Sequence, residues 1–312
     1  MIPIADGTTR GTEEAAGRIQ GLDSWPTAEI LEALWNGQSR AVAASLSALP
    51  ALQRAVDGAA ERLAAGTGRL VYAGAGSAGM IAALDAMELA GTFNWPEART
   101  AVFVAGGLDL RRGFDGAAED DASGGRLAAR ESGLGAADVV VGISASGSSA
   151  YTVALVEEAR ACGAMTIAVA NRSESLLVRA AGHAVVVVTG AEVISGSTRL
   201  AAGTAQKLVL NLFSTAVMVR LGFVFDNFMI EVRPENAKLR QRQAAMVASI
   251  AEVDVATAAD ALARHGGIKR AVLGLAGLAG GEIDAALAAA GGNLRVALNS
   301  MRTGRDREHR AP

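Results

Sequence analysis

Cysteine, histidine and aromatic residues are all scarce in this sequence of 312 residues: one cysteine, three histidines and 4% aromatics. The lone Cys162 excludes an internal disulfide framework and suits a reducing compartment. It is expected as filler on the apolar side of a helix. So few aromatics argue against a stacking platform for single-stranded nucleic acid. A net charge of −3 gives no basic footprint for nucleic acid either. His183, His265 and His309 fall at a strand start, a loop and the tail, and no two stand at ligand spacing, so no metal site is expected. None is near the serine-rich loops, which removes a Ser-His-Asp triad. Long apolar runs are missing too. The best candidate, 208–219, is interrupted by Asn211, Ser214 and Thr215 and falls short of the ~20 residues that span a bilayer. The opening MIPIADGTTRGTEEAAGR has no cationic start followed by an apolar core. A soluble, intracellular protein with no nucleic-acid or membrane partner is expected.

What is abundant is Ala, Val and Leu, within a 51% hydrophobic total that permits a sizeable core. From Thr27 a helical period appears in Ile30, Leu31, Leu34 and Trp35, and Asn36-Gly37 is expected to break it. A second run over 42–49 meets Pro50, and a third covers 51–65. The pattern then alternates. Strands are expected at 69–73, 101–105, 138–143, 165–170 and 184–188, with helices between them and a long helix over 198–221. Continuous apolar strands alternating with helices mean an α/β fold, a doubly wound five-stranded parallel sheet covered on both faces. Ligands of such sheets bind beyond the carboxyl ends of the strands. After Arg233-Pro234 the composition turns charged (Glu235, Lys238, Arg240, Arg242), and amphipathic segments follow at 244–263, 268–278, 281–290 and 294–298. Three parts are expected: N-terminal helices over 1–66, the α/β domain over 67–232, and a small helical domain over 233–312 with a disordered tail from Arg302.

The stretch DVVVGISASGSSAY, 138–151, is the centre of this pattern. A buried strand gives way to Ser144, Ser146, Gly147 and Ser149, then to a helix. The first N–H groups of a helix lack partners and its dipole favours negative charge, so this junction suits a phosphate. An ordinary βα turn, Ser-rich because serine caps helices, reads the same way. The earlier loop GAGSAG fits G-x-G-x-x-G through Gly74, Gly76 and Gly79, but the next strand ends Ala105-Gly106-Gly107. The acid that would hold a ribose is missing, which argues against a nicotinamide cofactor. No Gly-Lys-Ser/Thr follows, so a Walker loop is excluded. Two acids remain. Glu88 lies in an otherwise apolar helix and Glu119 in FDGAAEDD. They are either a general acid–base pair or two solvated carboxylates.

The segment GAEVISGSTRLAAGTAQKLVLNLFSTAVMVRLG, 190–222, closely resembles a signature of N-acetylmuramic acid 6-phosphate etherases, and the likeness continues through Asn236-Ala237-Lys238-Leu239-Arg240. Weaker similarity in VVVGISASG, FDGAAEDD, GAGSAGMIAALDAME and Leu22-Asp23 extends it over nearly the whole chain. The resemblance implies the sugar isomerase (SIS) fold, a homodimer, a cytoplasmic role in recycling cell-wall amino sugars, and no cofactor. It implies a lyase that removes the lactyl ether by elimination across C2–C3 and then hydrates the product, giving N-acetylglucosamine 6-phosphate and D-lactate. Laid over this chain, the family's catalytic glutamates fall on Glu88, the acid at the lactyl oxygen, and Glu119, the base at C2. The phosphate loop falls on Ser144, Ser146, Gly147 and Ser149. Ser77 lines the first loop, and Glu192, Ser197, Thr198 and Lys207 frame the sugar.

The chain also departs from the family pattern. Where members read Gly-Thr-Ser-Gly-Arg, this sequence has Gly76-Ser77-Ala78-Gly79-Met80. Ser148 stands where an arginine is usual, Leu89-Ala90-Gly91-Thr92 replaces Cys-Pro-Pro-Thr, and Ala15-Ala16 replaces Arg-Asn. Two guanidinium groups are thereby lost near an anionic substrate. Two rival readings follow: a non-catalytic sugar-phosphate sensor, as the related glucokinase regulatory proteins are, and an aldose–ketose phosphate isomerase.

Overall fold

The computed structural model describes residues 19–308 except 110, 112 and 235. His309, Glu235 and Ala15-Ala16 lie outside the described residues. The chain divides into two compact units, which exchange chain within two long helices: residues 19–87 with Glu97–Ser214, and Glu88–Pro96 with 215–308.

The first unit begins with α1 (Thr27–Ala44) and α2 (Leu49–Ala64). Helix α1 runs unbroken through Asn36-Gly37, against expectation. Gly37 is buried, and a Cβ there would lie 3.1 Å from Val193 Cγ2, so the glycine serves close packing and does not stop the helix. Pro50 opens α2 and does not end a preceding run. A first-turn proline loses no hydrogen bond, because that N–H has no helical acceptor.

Then come β1 (Leu70–Gly74), α3 (Gly76–Phe93), β2 (Thr100–Val104), α4 (Gly116–Glu119), α5 (Ala122–Glu131) and β3 (Val139–Ser144). They are followed by α6 (Ala150–Ala161), β4 (Met165–Ala170), α7 (Leu176–Ala180), β5 (His183–Val186) and α8 (Ala201–Arg220). The five strands form one parallel sheet in the order β2-β1-β3-β4-β5, as the apolar runs predict. Strands β1, β3 and β4 are wholly buried, whereas four of the five β2 residues are partly exposed at the sheet edge.

Side-chain alternation gives the sheet two faces. Val71, Ala73, Val140 and Ala168 pack with Leu155, Val156 and Leu177 of α6 and α7. A Cβ at Gly142 would come within 2.6 Å of Val156 Cγ2, so the strand is glycine where α6 presses closest. On the opposite face the phenol of Tyr72 donates to Asp85 Oδ2 of α3 at 2.8 Å. Asn211 Nδ2 and Ser214 Oγ of α8 donate to Asp85 Oδ1 at 2.8 and 3.2 Å. Asp85 is buried, and three donors offset the cost of removing its carboxylate from water. Burial first, and then Asp85, hold the Tyr72 phenol well above its ordinary pKa, so it remains a donor. This network joins β1, α3 and α8. Cys162 is exposed: α6 ends at Ala161, which puts the thiol in the following turn and not on the apolar face.

The second unit contains the two-residue strands β6 (Val224–Phe225) and β7 (Phe228–Met229), and the helices α9 (Ala237–Ala251), α10 (Val255–His265), α11 (Ile268–Leu275), α12 (Gly281–Ala289) and α13 (Leu294–Glu308). Asn236 and Asp254 cap α9 and α10 by accepting from Leu239 N and Thr257 N, both at 2.9 Å. Ile230, Val247, Ala258, Ile268, Leu273, Ile283 and Leu294 form its core. Helix α13 carries the chain in regular structure to Glu308, beyond Arg302, where irregularity was expected. The apolar residues Leu294 and Ala297 anchor its start, and arginine, a good helix former, prolongs it.

Candidate active site

At the carboxyl ends of β1 and β3 the first unit encloses a cleft of about 250 Å³. The loop GAGSAG is scarcely a loop: β1 ends at Gly74 and α3 starts at Gly76, whose φ is +53°. A Cβ at Gly74 would lie 2.9 Å from Gly79 Cα, and one at Gly79 would lie 2.8 Å from Val104 Cγ1. These two glycines serve strand–helix contact, which explains a dinucleotide-like spacing without a dinucleotide. The first turn of α3 thus faces the cleft through Gly76, Ser77 and Ala78.

The second wall comes from the serine loop. Ser144 and Ser146 line it, together with the backbone of Ala145. Ser144 Oγ accepts from Gly147 N at 3.0 Å, and Ser146 Oγ shares a 2.7 Å hydrogen bond with Ser148 Oγ. Gly147 adopts φ +68°, and its carbonyl accepts from Leu177 N at 3.0 Å, which pins the loop to α7. Ser149 is buried behind the loop as the N-cap of α6, accepting from Thr152 N at 3.4 Å. Of the four loop residues expected to hold phosphate, Ser144 and Ser146 therefore line the cleft, while Gly147 and Ser149 shape and cap the loop.

Glu119, at the end of α4, is an ionisable side chain on this lining. Asp115 caps α4 by accepting from Ala117 N at 3.0 Å. Ser149 Oγ contacts the Glu119 carbonyl at 3.5 Å. Burial first, and Asp120 second, push the Glu119 carboxyl above its ordinary pKa. A carboxyl so placed is a stronger base once ionised, as general-base chemistry requires. Among the described lining residues there is no arginine or lysine. The groups on this lining that can attract an anion are hydroxyls, backbone N–H groups and the start of α3.

The remaining expected residues are distributed as follows. Thr198 lines the cleft beside Gly196. Ser197 and Lys207 are half-buried and lie outside the lining. Glu192 is 1% exposed, and its two oxygens accept from Ala201 N and Ala202 N, each at 2.9 Å. Its carboxylate starts α8, where the dipole favours negative charge. Glu88 is exposed on α3, groups with the second unit, and is not part of this lining.

One polar side chain on the lining escaped the sequence reading. Gln206, on α8, is 2% exposed and reaches the cleft. The available signal was an amide in register with the buried Ala202, Val209 and Leu210.

Comparison with known proteins agrees with the fold and adds the family. The SIS domain family matches residues 36–171 and again 128–216. An N-acetylmuramic acid 6-phosphate etherase of Streptomyces avermitilis is 42% identical over 94% of this chain and 95% of its own length. Etherases of the same name from Deinococcus radiodurans and Symbiobacterium thermophilum are 40% and 44% identical, over 93% and 83% of this chain and 95% and 87% of their own lengths. With such identity over nearly the full length of both partners, the chain belongs to the N-acetylmuramic acid 6-phosphate etherase family.

Proposed function

We propose that this protein cleaves the lactyl ether of N-acetylmuramic acid 6-phosphate, giving N-acetylglucosamine 6-phosphate and D-lactate. The observation that carries the reading is the cleft itself: a half-buried carboxyl of raised pKa sharing one lining with four hydroxyls, in a chain 42% identical to a named etherase. The phosphate is held at Ser144 and Ser146, with Ser77 and Thr198 beside the sugar. Glu119 removes the C2 proton, the C3–O bond breaks, and the departing lactyl oxygen takes a proton from Glu88. Water then adds to C3 of the unsaturated sugar. For Glu88 the support is the family likeness alone. The division of the chain at 67 and 233 and a cytoplasmic location belong to the same reading. Among the described residues no helix is long and apolar enough to cross a membrane. The test is mass-spectrometric detection of lactate from N-acetylmuramic acid 6-phosphate. Sugar-phosphate binding without lactate release favours the sensor reading instead.

We further infer a homodimer. Leu31, Trp35, Val42 and Leu46 follow one another at spacings of one and two helical turns along α1 and its extension, and are 61%, 72%, 49% and 69% exposed. Such a stripe marks an interaction face. Light scattering is expected to give about twice the 31.6 kDa chain mass, and Trp35→Glu to return it to one chain. A wild-type protein that already measures 31.6 kDa at micromolar concentration defeats the inference.

A further inference from the structure

Gln206 raises a question that the etherase reading leaves open, because its side chain is almost fully buried yet opens onto the cleft. Its orientation follows from a chain of three groups. The Val187 carbonyl, at the end of the sheet, can only accept a hydrogen bond. Asn171 Nδ2 donates to it at 3.0 Å, which fixes the Asn171 amide and turns Oδ1 toward α8. Gln206 Nε2 donates to that oxygen at 3.0 Å. Asn171 is itself 2% exposed and its backbone N–H is held by Ala145 O at 3.1 Å, while the Val187 carbonyl, which can only accept, selects the amide orientation. One Nε2 hydrogen is given to Asn171, which settles the end of the amide that carries the nitrogen and leaves the carbonyl oxygen Oε1 as its acceptor; no described protein group donates to that oxygen.

We propose that Gln206 is a specificity residue whose Oε1 accepts a hydrogen bond from the bound sugar phosphate, from either a hydroxyl or the acetamido N–H. The relay through Asn171 fixes which end of the Gln206 amide is the acceptor, so Oε1 rewards a ligand that places a donor there. Covering that acceptor with a ligand that offers no donor costs more than an exposed hydrogen bond gains. The inference rests on the sugar-phosphate reading of the cleft.

Calorimetry with the full chain tests it, using N-acetylglucosamine 6-phosphate, glucosamine 6-phosphate, singly deoxygenated analogues and inorganic phosphate, on wild type and Gln206→Met. Deleting the recognised donor from the ligand is expected to cost the wild type roughly tenfold in affinity. The same deletion costs Gln206→Met little, and inorganic phosphate binds the two proteins alike. Equal losses for every analogue in both proteins, or unchanged affinity of Gln206→Met for N-acetylglucosamine 6-phosphate, overturns the proposal while the etherase reading stands. A wild type that binds none of these sugar phosphates overturns both. Should Gln206→Met fail to fold, Gln206→Glu serves: its carboxyl must be protonated to donate to Asn171. Its affinity relative to wild type then rises as pH falls, and a ratio flat with pH overturns the assignment.

Discussion

Glu119→Gln is expected to lower lactate-releasing turnover by about 10²–10⁴-fold, the usual worth of a positioned general base. Glutamine keeps the shape and the hydrogen-bonding reach of the side chain and removes only its capacity to take a proton. Binding of N-acetylglucosamine 6-phosphate therefore stays close to wild type, and the loss falls on kcat. Stability moves the other way. Because burial and Asp120 raise the carboxyl's pKa in the fold, the folded chain binds that proton more tightly than the unfolded chain does. The ionised group thus weighs against the folded state, and this burden grows as pH rises through the ordinary and then the raised value. Glu119→Gln removes the burden, so the variant melts no lower than wild type at neutral pH. The acid limb of the wild-type kcat profile lies above the ordinary glutamate value of about 4.3, since the base works only when ionised. A variant that retains most of its turnover, or a profile whose acid limb sits at or below that value, removes Glu119 from the role of base.

Gly147→Ala is expected to have the largest structural effect of any single methyl group added near the cleft. The residue adopts φ +68°, where a Cβ strains the backbone by about 1–2 kcal/mol. That Cβ would also overlap the Ser175 side chain, which is buried and caps α7 by accepting from Val178 N. Overpacking of this kind costs about 1–3 kcal/mol. Together these give about 2–5 kcal/mol, a fall in melting temperature of roughly 5–15 °C for a unit of this size. The loop cannot yield without breaking the 3.0 Å bonds that tie Gly147 to Ser144 and Leu177. Affinity for inorganic phosphate and for sugar phosphates should fall together. A variant with wild-type melting and wild-type affinity shows that the loop is not held as described.

The sheet was legible because buried parallel strands are nearly unbroken apolar runs, and the five strands lie within two residues of where such runs end. The helices were harder to delimit. Asn36-Gly37 carries an ordinary stop signal, but the reason for glycine is Val193, 156 positions further along the chain, and no local pattern reveals that neighbour. The cleft lining was legible at Ser144 and Ser146, where residue chemistry and position at a strand end coincide, whereas Glu119 lies on α4 and was reached through the family likeness. Glu192 shows the limit of this approach. A carboxylate in a polar segment suits a sugar hydroxyl and a helix start equally well, and the fold uses both of its oxygens for the helix. Gln206 went unread because a buried amide differs from its apolar neighbours only when its partner, Asn171, is known. Cys162 illustrates how one residue of error in a helix end exchanges an interior position for an exposed one.

The unequal burial of the strands has a consequence for motion. The serine loop and the first turn of α3 spring from β3 and β1, whose amides are covered on both sides by other strands and by helices. Glu119 is reached instead from β2, one of the two partly exposed edge strands of the sheet. Amide exchange with deuterium should therefore be slowest along β1 and β3 and faster along β2, since local opening follows the least-covered backbone. The groups proposed to hold the phosphate thus follow the best-covered strands of the unit. The proposed base, Glu119, sits on the helix that follows β2, an edge strand less covered than β1 and β3.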